Sequence, residues 1–302
     1  MNFIPLAKYL DSFNKVYSLP GCDCCIYYNH SNVFRRKNGF SEAKKTTFKD
    51  LYFIHSAAKL ICCTAIFQLA EKGLLSLDDR ADKYLPSFND SSTIEEMLRK
   101  YSQTLDFEEH KFNHKNISAI VEKLTKKTLD EYLSEAIFKP LHMKNSSFSL
   151  NSENKKRIGA QYIITKSGES KETDRHFEEM LSKNEGCIIT SVSDYARFAE
   201  TLCNKGVSKH NVRILSAKSV LHMINDVVYN ETTEKNCFVC VGYNGSLVSI
   251  DIDNKVTIVY AQHVRNCGAA QMEIIRKSVL PHMNASECIS GQKDLMFFRK
   301  TI

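Results

Sequence analysis

Apolar positions at helical spacing open the chain. Phe3, Leu6, Leu10, Phe13 and Val16 share one face and predict a helix over residues 2–17, broken at Pro20-Gly21. Residues 22–28 and 32–40 then read as two strands around the turn Asn29-His30-Ser31-Asn32. Residues 51–72 are apolar nearly all round and predict a buried helix that Gly73 ends. A short helix from Asp78-Asp79 stops at Leu85-Pro86, and helical patterns recur over 93–100, 117–125 and 129–137. Residues 151–184 are polar and weakly patterned, an excursion between ordered parts. Helical runs return at 191–203, with Ser191 placed as N-cap, and at 215–227, beginning with Ser216. Two β-rich runs, 237–243 and 246–251, flank Asn244-Gly245, the strongest short hairpin signal. Residues 255–262 give a third strand and 271–279 a closing helix.

This order predicts an α+β fold. An antiparallel sheet is flanked by helices from both chain ends, with an all-helical subdomain inserted between. The length suits one domain over 1–302, its α/β part about 1–68 and 185–302 and its helical part about 69–184.

Composition narrows the class. The chain is 43% hydrophobic and 25% charged, as in an ordinary globular protein. Forty-one Lys and Arg against 35 Asp and Glu leave +6, but blocks such as Arg35-Arg36-Lys37 and Lys155-Lys156-Arg157 are short and lack interleaved aromatics. They read as solvated surface, so no nucleic-acid partner is expected. The first residues carry no basic segment followed by an apolar core, and the apolar run 54–70 is short and interrupted by Lys59. Neither a leader nor a membrane span is expected. Eleven cysteines in irregular clusters argue against a secreted disulfide framework. Cys22-Asp23-Cys24-Cys25 has no second pair at zinc spacing, so no metal or other cofactor is expected. Small, reduced, buried thiols fit a cytoplasmic protein.

The chemistry centres on Ser56 and Lys59. Ser-x-x-Lys occurs five times, at Ser12/Lys15, Ser41/Lys44, Ser56/Lys59, Ser152/Lys155 and Ser290/Lys293. Context separates the third, because Lys59 is the only formal charge between Ile54 and Ala70. A spacing of three puts both side chains on one helix face. Burial disfavours the ammonium, and a neutral amine beside a hydroxyl can accept its proton. A helix start also favours developing negative charge. The same residues admit a plainer reading, in which Lys59 snorkels to solvent and Ser56 caps the helix.

The run FIHSAAKLICCTAIFQLAEKGLLSLDDRADKYLPSF (53–88) closely resembles the nucleophile segment of the penicillin-binding, class C β-lactamase and esterase family of serine hydrolases. Its stretch from Leu69 to Pro86 is similar to the family's L-x-L-D-D…Y-L-P run. Residues 20–39, 120–148, 185–206 and the segment RILSAKSVLHM are similar to further family segments in family order. The resemblance implies a β-lactamase/transpeptidase-like fold, with Ser56 as nucleophile and Lys59 as base.

Two other motifs depart from the family's. Where it has Tyr-x-Asn, this chain has His110-Lys111-Phe112-Asn113. Asn113 matches the Asn and Lys111 takes the Tyr position, while the nearest tyrosine, Tyr101, belongs to an earlier family position. The strand motif, Lys-Thr-Gly or His-x-Gly, has two placements: Gly242-Tyr243-Asn244-Gly245, with Tyr243 for His, or Cys240-Val241-Gly242. Neither keeps the cation that holds a substrate carboxylate. The resemblance therefore implies a divergent hydrolase of an ester, amide or peptide rather than of ordinary penicillins. Lys111, Asn113, Gly242 and Tyr243 are its auxiliary candidates. The competing reading is an impaired member that binds a ligand or protein in the old cleft.

Overall fold

The computed structural model describes residues 3–4, 6–8, 10–11, 21–41, 44–45, 47–54, 56–86, 88, 90–103, 114–149, 151–164, 170–172, 188–230, 232–242 and 245–266. The predicted closing helix at 271–279, and Lys111, Asn113 and Tyr243, lie outside them.

A five-stranded antiparallel sheet organises the fold. β1 (Cys22–Tyr28) and β2 (Ser31–Asn38) form the predicted hairpin. Asn29 and His30 both take positive φ, 46° and 66°, as the common two-residue hairpin turn requires. β9 (Cys237–Val241), β10 (Leu247–Asp251) and β11 (Val256–Gln262) form the predicted meander. β11 pairs with β1, so the order is β2-β1-β11-β10-β9. All seven residues of β11 are buried, as a central strand covered on both faces demands.

Alternation sorts side chains to two cores. One face turns Cys22, Cys24, Ile26, Leu247, Ile258 and Tyr260 toward Leu6 and Leu10 of the N-terminal helical segment. The other turns Cys25, Phe238, Cys240, Val248, Ile250 and Val259 into the main core. There they meet α1 (Ala58–Glu71), α2 (Ile94–Gln103), α3 (His114–Thr125) and α6 (Val192–Cys203). Between α3 and α6 come α4 (Leu129–Leu133), continued as a π-turn over Ser134–Phe138, and the short α5 (Ser152–Arg157). α7 (Ala217–His222) runs into a second π-turn, Met223–Val227. Ser191 caps α6 by accepting the Asp194 N–H at 3.2 Å, and Ser216 caps α7 through Ser219 at 3.1 Å, as predicted.

Two expectations change. The helix predicted from residue 51 begins only at Ala58, because Tyr52–Ile54 form strand β5, antiparallel to β8 (Ile188–Thr190). A short apolar run suits either state, and a distant partner decided it. The polar stretch 151–184 also holds more than a loop. Besides α5 it carries β6 (Tyr162–Ile164) and β7 (Ser170–Glu172), joined through β6 to β12 (Val264–Asn266). Two further short strands, β3 (Phe40–Ser41) and β4 (Lys44–Lys45), pair with each other beyond Gly39.

Candidate active site

β5 fixes where Ser56 stands. Its three residues are fully buried and pinned to β8, so the chain leaves the core at a set point. A tight turn follows: the Lys59 N–H donates to the Ser56 carbonyl at 3.1 Å, and the Leu60 N–H to the Ala57 carbonyl at 3.2 Å. α1 starts there. Its N-cap is Ala57, with no side-chain cap and no acidic residue in the first turn. Ser56 therefore does not cap this helix. It stands half-buried at the helix head, where N–H groups and the dipole favour negative charge. Tyr195 of α6 holds the turn from below, its hydroxyl donating to the Ala57 carbonyl at 2.8 Å. Its ring is fully buried, and that burial pushes the phenol well above its ordinary range, so it stays a donor.

Lys59 follows in the first turn, half-buried, on a helix whose next charged residue is Glu71. Burial pulls its ammonium below the ordinary 10.5, against an opposing pull from Cys240, Cys63 and Cys62. Its Nζ lies 5.7 Å from the centre of the Tyr101 ring. Two described groups on this side of α1 are neutral. Burial pushes the Cys62 thiol up to about 12 and the His114 imidazole down to about 4. Cys62 Sγ is 3.7 Å from His114 Nδ1, and the His114 ring stacks on Phe148 with centroids 4.9 Å apart.

The strand side carries Cys240, on β9 opposite Val248 and turned to the same core as Lys59. Gly242 follows in the hairpin turn. Its N–H donates to the Ser246 carbonyl, and the Gly245 N–H donates to the Gly242 carbonyl, each at 2.7 Å. Gly245 has φ 78°, a conformation glycine adopts without strain. Gly242 thus serves the turn, and its N–H is not offered to a substrate. Asn230 lines the outer edge of β9: its side chain accepts the Val239 N–H at 2.8 Å and donates to the Cys237 carbonyl.

Of the residues expected from sequence, Ser56 and Lys59 stand within one backbone turn at the head of α1, and Gly242 sits in the β9–β10 hairpin turn. Tyr101, assigned from sequence to an earlier family position, packs against Lys59 instead. Tyr195, His114, Cys62 and Asn230 were not singled out. The signal for Tyr101 was faint but present: Ile94, Met97, Leu98 and Tyr101 form the buried stripe of α2. Among the described residues, no group of His, Cys, Asp and Glu is arranged to hold a metal, and no helix is long and apolar enough to cross a membrane.

Comparison with known proteins agrees with this layout. The chain is 23% identical over 190 residues to protein flp of Staphylococcus aureus (strain MRSA252), a match covering 48% of this chain and 38% of that protein. It is 21% identical over 323 residues to teichoic acid D-alanine hydrolase of Staphylococcus aureus (strain NCTC 8325 / PS 47), covering 90% of this chain and 76% of that one. Its fold matches simvastatin synthase LovD from Aspergillus terreus with a TM-score of 0.78 at 12% identity, over 97% of this chain and 100% of that one. It also matches a family VIII carboxylesterase with a TM-score of 0.71 at 15% identity, over 93% and 98%. The family model described as Beta-lactamase matches residues 6–261, and the chain belongs to the beta-lactamase family.

Proposed function

We propose that this chain is a serine hydrolase of uncharged esters or amides, working through an acyl-enzyme on Ser56 with Lys59 as general base. The supporting observation is the head of α1: an uncapped helix start carries Ser56, and one turn on stands a half-buried lysine whose ammonium burial disfavours. The neutral Lys59 amine takes the Ser56 proton as Oγ attacks the carbonyl carbon. The tetrahedral oxyanion forms beside the Ser56 N–H at the head of α1. The bond to the leaving group breaks, and that group takes the proton from Lys59. Water then gives a proton to Lys59 and attacks the acyl carbon; the bond to Oγ breaks and Ser56 recovers its proton. The relatives named for hydrolase and esterase activities support the reaction class.

Substrate charge follows from the walls. In neither placement of the strand motif does the sequence supply the cation that would draw a carboxylate: Cys240 or Tyr243 stands there. Neutral substrates with apolar acyl groups suit a lysine set against an apolar core that includes Tyr101, Cys62 and Cys240. Hydrolysis of short-chain nitrophenyl esters tests the reading. Ser56→Ala is expected to lower kcat/KM on the order of 10³-fold or more, and Lys59→Met about 10²–10⁴-fold. A Ser56→Ala protein as active as the parent would refute it, and a parent inert to all such esters would favour a cleft that only binds.

A further inference from the structure

Three elements converge on the turn of α1 that carries Lys59. Tyr101 comes from the last turn of α2, 4% exposed, with the face of its ring 5.7 Å from the Lys59 Nζ. That separation lies within the reach of a cation–π contact. The Tyr101 hydroxyl is engaged elsewhere, in a side-chain hydrogen bond with the Cys62 thiol. Cys62 lies three residues beyond Lys59 on the same helix face. Its thiol also meets Nδ1 of His114, the first residue of α3, whose ring is braced flat against Phe148. The face of the Tyr101 ring is thus turned to the Lys59 amine.

We infer that Tyr101 is a positioning residue for Lys59 that acts through its ring, while its hydroxyl bonds the Cys62 thiol. This rests on the hydrolase reading above. A ring face is attractive to an ammonium and indifferent to an amine, so Tyr101 biases the charge state of Lys59 while burial biases it the other way. It also confines a long, flexible side chain to one place near Ser56.

The test is the pH dependence of fluorophosphonate labelling, read alongside ester hydrolysis, in the full chain and two variants. Tyr101→Phe keeps the ring and is expected to hold labelling rate and pH midpoint near those of the parent. Tyr101→Leu keeps apolar bulk but removes the π face. It is expected to lower the maximal rate about 10-fold or more and to move the acid limb down by roughly half a pH unit to one unit. Loss of activity in Tyr101→Phe equal to that in Tyr101→Leu would overturn the inference by making the hydroxyl the working group. An acid limb in Tyr101→Leu that stays put or moves up would overturn it by making the ring mere filling. Thermal unfolding of both variants separates a folding defect from a chemical one, and if Tyr101→Leu does not fold, Tyr101→Met, which also lacks the π face, replaces it under the same expectation. If the parent is never labelled at Ser56, the hydrolase reading fails first. If the parent is labelled and all variants behave alike, only the role of Tyr101 fails.

Discussion

Lys59 is costly where it stands. It is the single charge in an otherwise apolar helix segment, and burial pulls its ammonium below 10.5. A base works only when deprotonated, so activity should rise with pH through the folded value of this group. The rate of Ser56 acylation is therefore expected to climb along an acid limb whose midpoint lies below lysine's ordinary 10.5, with no downturn from His114, which is already neutral above about 4. A pre-steady-state pH profile checks this; a midpoint at or above 10.5 would remove Lys59 as the base. The residue pair itself was legible, because one charge in an apolar helix needs no distant information to notice. Its neighbours were not. Tyr101 and His114 reach Lys59 and Cys62 only when α2 and α3 pack on α1; the apolar stripe of α2 marks Tyr101 as inward-facing but does not say what it meets.

Elements were legible where their signals are local. The caps at Ser191 and Ser216, the hairpin turn at Asn29-His30 and the meander around Gly245 all follow from a few adjacent residues. β5 was not legible, because its partner β8 lies far along the chain and only pairing distinguishes Tyr52–Ile54 from a helical start. Two glycines show how local backbone and long-range packing divide the work. Gly73 ends α1 at φ 69° with open space around a would-be Cβ, whereas Gly206, at φ 84°, would place a Cβ 2.1 Å from the Leu215 carbonyl oxygen. Gly73→Ala is expected to cost about 1–2 kcal/mol, the ordinary penalty of a left-handed conformation. Gly206→Ala adds an overpacking cost of about 1–3 kcal/mol to that. Chemical denaturation of the two variants should place the Gly206→Ala midpoint clearly lower, and equal midpoints would contradict the account of the Gly206 turn.

Across the whole molecule, the sheet and α6 are tied by a buried ion pair. Asp23 of β1 meets Arg35 of β2, and Arg35 Nη1 donates to Ser193 of α6 at 2.9 Å. Burial pushes the Asp23 carboxyl up to about 7, against the pull of Arg35. Arg35→Met should cost about 3–5 kcal/mol, because it strands a buried carboxylate. Asp23→Leu combined with Arg35→Met should cost less than the single change. The sign with pH follows. Removing Arg35 raises that carboxyl further, so folded parent and variant bind the same proton below about 7 and the loss in Arg35→Met should deepen as pH rises through and beyond about 7. Urea denaturation at several pH values reads both effects, and a deficit that shrinks with rising pH would contradict them. The fold at this scale was largely legible: the hairpin, the meander and the helices between them appear in the expected order, and the sheet closes through the β1–β11 pairing. The central claim is chemical and has one direct measurement. Intact-mass analysis after fluorophosphonate treatment, followed by peptide mapping, should find a single adduct on Ser56 that Ser56→Ala abolishes and Lys59→Met slows. An adduct on another residue, or none on the folded parent, would contradict it.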